Sequence, residues 1–303
     1  MSVRARLMRF LLRHTVKKQF EDFDDVPAFR ERMMNSARLT PKVPDTVSVT
    51  PATISGVPCE WIEVENTDQD RVLMYLHGGG YVFGNLDSHR DIGWRLAEAS
   101  GMRVLMVDYR LAPEHPFPAA LEDATECYRW LMEEGIAPSR VAIGGDSAGG
   151  GLAVALLINL RNLGIPLAAA CILLSPWTDL SMGGDSIAAN ATADPMLSGP
   201  ILEKMANYYL GRRDRKAPLA SPLFGDLAGL PPMMIQVGSL EVLRSDAERL
   251  AGKIRDAGGE ASLEVWSGMF HVFQVFAARV PEGKKAILQL GEFLSNKTGA
   301  SHG

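Results

Sequence analysis

Short β-branched runs alternate with longer stretches of helical periodicity from about residue 47 to the end of the chain. This alternation is typical of βα units arranged around a largely parallel sheet. The turn at 55–58 separates the first two runs and predicts an antiparallel hairpin at one sheet edge. The pattern therefore predicts an α/β fold with an eight-stranded, mostly parallel sheet flanked by helices. Strands are expected at 47–54, 59–64, 71–76, 103–108, 140–144, 171–175, 233–237 and 262–266, and helices near 87–100, 118–134, 148–163, 245–257 and 284–296.

Two regions depart from this alternation, residues 1–46 and roughly 180–225. The first reads as helices rich in Met and Arg, and the second is polar and rich in Gly and Pro. Neither contains an internal repeat or a low-complexity tract, so a second independent domain is not expected. We predict a helical cap segment at 1–46 and a catalytic domain at 47–303 that carries a cap insertion near 180–225.

The first 20 residues contain basic but no acidic side chains. A signal peptide needs an unbroken apolar stretch of about 7–15 residues, whereas here arginines interrupt the apolar residues at helical spacing. No segment approaches the roughly 20 apolar residues of a membrane span. We therefore expect a cytoplasmic protein without stable membrane insertion, whose amphipathic N-terminal helix packs on something, with a membrane surface as the less favoured target. The basic residues are Arg4, Arg6, Arg9, Arg13, Lys17 and Lys18.

Composition narrows the classes of partner. With 303 residues and 47% hydrophobic residues, the chain can bury the core of one α/β domain. Its formal net charge of −5 argues against nucleic acid, whose phosphates demand a basic face, so a small molecule is the expected partner. The cysteines Cys59, Cys127 and Cys171 are few and far apart, which supports neither a disulfide framework nor a metal or redox site.

A candidate nucleophile lies in the segment 140–157, which reads as an apolar strand, a Gly-rich turn and an amphipathic helix. The turn contains Gly145-Asp-Ser147-Ala-Gly149, the G-x-S-x-G pattern, which occurs nowhere else in the chain. Side chains two residues before and after a serine on such a tight turn would collide with neighbouring backbone. We predict that Ser147 is a nucleophile exposed at a helix N-terminus; a purely structural Gly-rich turn is the alternative.

A serine nucleophile needs a base, and histidine has the suitable pKa. In this fold the order along the chain is Ser, then acid, then His. Four of the six histidines precede Ser147, which leaves His271 and His302. His302 is the penultimate residue of a Ser/Gly tail, whereas His271 follows the last expected strand. We predict that His271 is the base; a buried structural histidine is the alternative.

The imidazole in turn needs a carboxylate behind it, usually in the loop after the preceding parallel strand. The strand at 233–237 ends at Gly238, and the first carboxylate beyond it is Glu241. We predict that Glu241 is the acid. Asp246 is the alternative, but it begins a helical period and is better placed to cap a helix or face solvent.

A triple glycine, His77-Gly-Gly-Gly80, follows the strand at 71–76. Glycines free the backbone to turn its N–H groups inward, where they can bind the oxygen of a tetrahedral intermediate. We predict that the amides of Gly79 and Gly80, together with that of Ala148, form an oxyanion hole. His77 is expected to anchor this loop rather than act as a base, and a merely flexible loop is the alternative.

Taken together, these motifs resemble the hormone-sensitive-lipase family of α/β-hydrolases, particularly its bacterial esterases, across residues 50–296. The resemblance implies an α/β-hydrolase fold with a helical cap, in which 108–118 forms a buried segment that braces the oxyanion loop. It also implies a preference for short acyl chains and a homodimer through the strand at 262–266. The motifs are His77-Gly-Gly-Gly80, Asp108-Tyr-Arg-Leu-Ala-Pro-Glu-His-Pro-Phe-Pro-Ala119 with Asp123, Gly145-Asp-Ser-Ala-Gly149 and Gly268-Met-Phe-His271.

The expected function is that of a carboxylesterase acting on small, uncharged esters through a covalent acyl-serine, without cofactor or metal. One departure concerns the acid: much of the family carries Asp-Pro-Leu where this chain has Glu241-Val-Leu. Glutamate is one methylene longer but can make the same hydrogen bond. One alternative is a ligand receptor on the same fold. Another is an acyltransferase, or a lactone- or amide-selective hydrolase, with the same triad. Pocket shape and water access decide among these activities.

Overall fold

All eight expected strands form one sheet in a computed structural model, which describes residues 1–21, 23, 25–37 and 42–299. The sheet order is β1-β2-β4-β3-β5-β6-β7-β8. β2 runs antiparallel to both β1 and β4, and every other neighbouring pair is parallel. The expected hairpin and the mostly parallel sheet are therefore confirmed. The strands are β1 Ser48–Ile54, β2 Val57–Glu63, β3 Asp68–Leu76, β4 Met102–Val107, β5 Val141–Asp146, β6 Ala170–Leu174, β7 Met233–Gly238 and β8 Ala261–Trp266.

The start of β3 differs from the expected one. The strand begins at Asp68, which pairs with Met102, and the register then shifts before Val72. Asp68 and its two polar successors lack the alternation of a half-buried strand, so pattern alone marks only the apolar part. The amide of Asp68 nevertheless reaches the carbonyl of Gly101 at 2.9 Å, a contact that depends on a distant part of the chain.

Helices cover both faces of the sheet, and five of them lie where periodicity indicates them. The expectation of an amphipathic helix after Ser147 is wrong: α6 is apolar on all sides and buried over most of its length, because other elements enclose it. Helices also form in the two segments outside the alternation, α1 to α3 before the sheet and α7 and α8 between β6 and β7. The helices are α1 Val3–His14, α2 Val16–Glu21, α3 Val26–Ala37, α4 Leu86–Ser100, α5 Ala119–Glu133, α6 Ala148–Asn162, α7 Ser186–Ala189, α8 Gly199–Leu210, α9 Arg244–Asp256 and α10 Pro281–Lys297.

The N-terminal helix α1 packs on the catalytic part of the chain. Its side chains Ala5, Met8 and Leu12 are buried in one cluster with Phe270 and Phe273, which follow β8. The expectation that this helix packs on something is thus confirmed. The limits of a cap at 1–46 stay a prediction, and residues 22, 24, 38–41 and 300–303 of the two expected segments lie outside the described residues. Within the described residues, no helix has the length and hydropathy needed to cross a bilayer.

Candidate active site

Ser147 occupies a strained turn between β5 and α6, with φ 53° and ψ −120°. The glycines on either side are required sterically. A Cβ on Gly145 would lie 2.4 Å from the carbonyl oxygen of Gly149, and one on Gly149 would lie 2.0 Å from that of Leu76. Real side chains do not tolerate such distances, so the collision expected at −2 and +2 from the sequence is confirmed. The turn fixes the Ser147 side chain above the carboxyl end of the central strands.

His271 lies between Ser147 and Glu241. Its Nε2 is 2.9 Å from the Ser147 Oγ, and its Nδ1 is 2.8 Å from the Glu241 Oε2. A carboxylate can only accept a hydrogen bond, so Nδ1 carries the proton and Nε2 is left to accept from the serine hydroxyl. All three side chains are buried, so the expectation of an exposed Ser147 is wrong, although this serine borders the cavity described below. The structure therefore brings together the three residues that the sequence singled out.

The carboxylate of Glu241 is held by groups other than His271. Its Oε1 accepts hydrogen bonds from the Gly238 amide and from the Ser175 hydroxyl, the latter at 2.8 Å. Ser175 also accepts from the amide of Val272, next to His271, at 3.1 Å. This buried serine therefore ties the acid loop to the histidine loop. Sequence reasoning missed it, because a lone Ser after a strand carries no local signal.

The alternative acid, Asp246, has other partners. It accepts hydrogen bonds from the amides of Thr178 and Asp179, both at 2.9 Å, and pairs with Arg249 at 2.8 Å. The expectation that it caps a helix or faces solvent is wrong, since it is almost completely buried. Burial raises the pKa of its carboxyl to about 6. Among the described residues, Glu241 is the carboxylate that contacts the His271 ring.

The electrostatic surroundings of His271 favour its protonated form. Burial by itself lowers the pKa of this imidazole, but the hydrogen bond and the negative charge of Glu241 outweigh burial. The buried carboxylate of Asp194 adds to the same effect. The net result is a pKa above the ordinary value of 6.5. The site thus stabilises an imidazolium, the species that forms when His271 takes a proton.

Two of the three glycines of the triple-glycine loop line the cavity. Gly79 and Gly80 have φ values of +123° and +61°, which L side chains rarely adopt, and both border the same cavity as Ser147 and His271. The first glycine is committed elsewhere, since the amide of Gly78 donates to the Asp146 Oδ1 at 3.0 Å. Ala148 begins α6 directly after Ser147. The structure thus places Gly79 and Gly80 on the wall of the cavity and Ala148 at the first position of α6.

His77 is a structural part of this loop. Its Nδ1 donates to the carbonyl of Gly78 at 2.8 Å, and its ring stacks on that of Tyr109 with the centroids 4.3 Å apart. Burial lowers the pKa of His77 to about 3, so the ring stays neutral at physiological pH. The Tyr109 hydroxyl donates to the carbonyl of His77 at 2.6 Å, and the Ala112 amide donates to that of Tyr81 at 2.9 Å. The 108–118 segment thus contacts the loop as the resemblance implies, but the expectation that it is buried is wrong for most of its length, since only Tyr109 and Ala112 are buried.

A buried acid and a half-buried histidine lie next to the loop and were not singled out by sequence reasoning. Asp146, the residue before Ser147, is 3.4 Å from the Nε2 of His89 and accepts a hydrogen bond from Tyr75 at 3.0 Å. Burial opposes charge on His89, but the Asp146 carboxylate outweighs it and raises the pKa of His89. The G-x-S-x-G pattern leaves this position unspecified, and α4 brings His89 there only through the fold.

The cavity beside these residues has a volume of about 620 Å³. Its walls combine the site residues with apolar side chains from the N-terminal helices and from the segment between β6 and β7. An apolar cavity with a few convergent polar groups is the usual form of a small-molecule site. The walls include Met8, Leu11, Leu12, Val16, Phe20, Met33, Phe83, Met196, Leu197, Leu202, Met205, Val272, Val275 and Phe276.

The fold and this site define an α/β-hydrolase, and comparison with known proteins agrees. Residues 73–275 match a family model described as alpha/beta hydrolase fold. An acetyl-hydrolase of Streptomyces hygroscopicus is 46% identical over 82% of this chain and 82% of its own length. An esterase of Acinetobacter venetianus is 36% identical over 89% of this chain and 88% of its own. A crystal structure of an esterase from the bacterial hormone-sensitive lipase family superposes with a TM-score of 0.94 at 44% identity, covering 99% of each chain.

The chain belongs to the α/β-hydrolases, and within them to the bacterial hormone-sensitive lipase family of esterases. The expectations of this fold, of this family and of a carboxylesterase are confirmed.

Proposed function

We propose that the chain hydrolyses short-chain carboxylic esters with Ser147 as nucleophile, His271 as base and Glu241 as the acid that orients it. The observation that carries the proposal is the continuous hydrogen-bonded chain from the Ser147 Oγ through His271 to Glu241. His271 removes the hydroxyl proton while the serine oxygen attacks the ester carbonyl carbon. The resulting imidazolium returns the proton to the leaving alcohol, and water then hydrolyses the acyl-serine by the same two steps.

The negative oxygen of each tetrahedral intermediate would be stabilised by the amides of Gly79, Gly80 and Ala148. Such donors are rigid and directed at the place where charge develops, so they lower the barrier without reorganisation. The positive φ values of both glycines and the commitment of the neighbouring Gly78 amide to Asp146 support this assignment. We therefore propose a hole of three amides, of which two come from the loop and one from the start of α6.

Two observations support short acyl chains. Side chains of α1 to α3 and of α8 line the cavity, and the similar protein from Streptomyces is named an acetyl-hydrolase. We propose that residues 1–46 and 180–225 act as the cap that limits acyl length. A series of p-nitrophenyl esters from acetate to palmitate should give the highest kcat/KM at butyrate or shorter chains. A maximum at palmitate would contradict the short-chain assignment while leaving the triad untouched.

Covalent labelling separates an enzyme from a ligand receptor on the same fold. A fluorophosphonate reacts only with a serine that a base activates, and the phosphonyl adduct stays on the oxygen. We expect one adduct, located on Ser147 by mass spectrometry of the digested protein. Its formation should be slowed in His271→Ala, which lacks the base. A wild-type protein that stays unlabelled would favour the receptor.

The pH dependence of kcat/KM follows from the state of His271. Only the neutral imidazole can accept the serine proton, so activity is lost as the pH falls through the pKa of His271. That pKa is raised above 6.5 by Glu241 and Asp194. We therefore expect the acidic limb of the kcat/KM profile for p-nitrophenyl acetate to have its midpoint above pH 6.5. A midpoint well below this value would contradict the assigned charge environment.

Asp194 is proposed as a positioning residue. It is completely buried, and its carboxylate accepts hydrogen bonds at 2.8–2.9 Å from the amides of Met196, Leu197 and Val242, the last of which follows Glu241 directly. Burial raises the pKa of Asp194, although these amides and His271 oppose the shift. The residue thus joins the segment between β6 and β7 to the acid loop.

Replacing Asp194 with asparagine should lower kcat by about 10- to 100-fold with little change in KM, since small displacements of the reacting groups have effects of this size. The loss of a negative charge should also move the acidic limb of the pH profile to lower pH, because Asp194 raises the pKa of His271. A purely structural role would not move that limb. Asp185→Asn, at an exposed position of the same segment, is the matched control.

The homodimer and the cytoplasmic location stay predictions. β8 is an edge strand of the sheet, as pairing through 262–266 would require, and its Val265 is exposed. Light scattering coupled to size-exclusion chromatography should give twice the mass of one chain. Val265→Lys should reduce that mass to a monomer, because charged residues on an edge oppose strand pairing.

A further inference from the structure

The helix α1 exposes a ridge of large apolar side chains. Phe10 and Leu7 are each 59% exposed, Leu11 is 45% exposed and Val3 is 79% exposed. Isolated exposed apolar residues are normal on protein surfaces, whereas a contiguous group is characteristic of an interaction site. In the rest of the described chain, the exposed large apolar residues are Met1, which precedes the helix, and the scattered Leu163, Val265 and Leu288.

Helical geometry places this ridge opposite the face that packs on the protein. Residues three, four and seven positions apart share one face of an α-helix. Val3, Leu7 and Phe10 follow this spacing on the exposed side. The buried Ala5, Met8 and Leu12 follow it on the other side. The exposed side therefore does not belong to the packed core, and folding of the chain alone does not explain its apolar character.

Cations flank the ridge. Arg4 lies on one side of it and Arg6 and Arg9 on the other, and none of the three makes an ion pair with a residue in the described part of the chain. Arg13, in the last turn of α1, donates to the carbonyl of Thr192 at 2.8 Å, and Lys17, in α2, donates to that of Asp194 at 2.9 Å. The helix itself contains no acidic residue, and the carboxylate at its start, Glu282, is engaged by Ser2. On a chain of net charge −5, this local excess of positive charge is complementary to an anionic partner.

The same helix forms part of the cavity wall. Leu11 borders the cavity and is also exposed, so it lies where the cavity meets solvent. Thr15, which is exposed one turn further on, borders the cavity as well. Arg279 brings another exposed cation to this rim. A surface that contacts the ridge would consequently lie beside the entrance of the candidate active site.

We infer that α1 docks the enzyme on an anionic phospholipid surface and turns the cavity entrance toward it. An apolar ridge bordered by arginines is the pattern of a helix that lies in the plane of a lipid interface, with its apolar side chains among the acyl chains and its cations at the headgroups. The inference deepens the proposed function: the substrates would be esters with a short acyl part and an apolar alcohol part that partitions into lipid. Docking itself requires no turnover.

Binding is measured by co-sedimentation with vesicles of ether-linked lipids, which contain no carboxylic ester and so cannot be hydrolysed. We expect binding to vesicles that contain ether-linked phosphatidylglycerol, and much weaker binding to vesicles of phosphatidylcholine analogues alone. Raising the salt concentration should weaken it through screening. A triple variant that combines Arg4→Gln, Arg6→Gln and Arg9→Gln should bind anionic vesicles on the order of 100-fold more weakly. The reason is that each cation near an anionic surface increases the affinity about fivefold.

A separate variant tests how much the apolar side chains of the ridge contribute to vesicle binding. Leu7→Gln combined with Phe10→Gln should weaken binding by about tenfold or more for each side chain, from the apolar area that no longer enters the lipid. Both residues are exposed and neither borders the cavity, so hydrolysis of soluble p-nitrophenyl acetate should be unchanged. Hydrolysis of a lipophilic acetate ester held in anionic vesicles should fall. Two matched controls change exposed positions elsewhere and should bind as the wild type does. The control for the apolar variant is Leu163→Gln, and the control for the arginine variant combines Arg129→Gln, Arg212→Gln and Lys216→Gln.

Two results would overturn the inference. One is equal binding to anionic and neutral vesicles, or none to either. The other is a dimer that the Leu7 and Phe10 substitutions convert to a monomer, since the ridge would then be covered by a second copy. Failure of the proposed function has a different signature, namely an active Ser147→Ala, and it leaves the vesicle measurement unaffected.

Discussion

Replacing Ser147 with alanine is expected to lower kcat for p-nitrophenyl butyrate on the order of 10⁶-fold, the effect that loss of a serine nucleophile has in a triad. The physical reason is that the acyl-serine cannot form. The remaining amides can then only stabilise attack by water, which leaves a small residual rate. KM should change little, because the hydroxyl contributes far less to substrate binding than the cavity walls do.

The fold of this variant should be intact. Ser147 has a positive φ that alanine tolerates no worse than serine, and Gly145 and Gly149 preserve the turn. Circular dichroism and the thermal unfolding midpoint should therefore match those of the wild type. Ser198→Ala is a suitable control, since that serine makes no capping hydrogen bond at the start of α8 and does not border the cavity. A folded Ser147→Ala protein with undiminished turnover would refute the proposed mechanism.

Replacing Glu241 with glutamine is expected to lower kcat by about 10⁴-fold, the loss that follows when the acid of a triad becomes an amide. The Gln amide can keep its oxygen toward the Gly238 amide and the Ser175 hydroxyl, where Oε1 now lies. Its NH₂ group then faces the Nδ1 of His271 and forces the proton to Nε2. That tautomer cannot accept the serine proton, so the geometry survives while the base is lost.

Two further variants test whether the loss of activity in Glu241→Gln arises from the lost carboxylate. Glu241→Asp keeps the charge on a shorter side chain, so it should retain more activity than Glu241→Gln. Glu248→Gln, which removes a carboxylate that pairs with Arg244 on α9, should leave kcat unchanged. Retention of wild-type activity in Glu241→Gln would show that another group orients His271. The raised pKa of His271 should also fall in this variant, because Glu241 is the main group that raises it.

Much of the fold could be read from the sequence because the pattern is local. Each strand in the middle of a parallel sheet is buried on both faces, and it therefore appears as an apolar run between helical periods. The nucleophile turn could also be read, since the requirement for Gly145 and Gly149 arises from backbone only a few residues away or from the adjoining strand. His271 and Glu241 followed from chain order and loop position, which the α/β arrangement imposes.

Other features of the site depend on contacts between residues that are far apart in the sequence, and these could not be predicted. Ser175 bridges the loops of Glu241 and Val272, 66 and 97 residues further on, and a single serine gives no sign of this in the sequence. The carboxylates of Asp146 and Asp194 could equally have been surface groups. They became buried only because the sheet, α4 and the segment after β6 close over them.

The sequence by itself determined the eight-stranded sheet and the strained turn at Ser147, because periodicity and the glycine pattern can be recognised in short stretches of chain. It also determined the choice of His271 and Glu241, because the α/β arrangement fixes their order and loop positions. Only the tertiary structure decided which acids are buried, which hydroxyl holds Glu241, and that α1 packs by one apolar face and exposes another. The reason is that burial and hydrogen-bond partners are properties of groups brought together from distant positions. A periodic pattern records that a residue is apolar, but not what covers it.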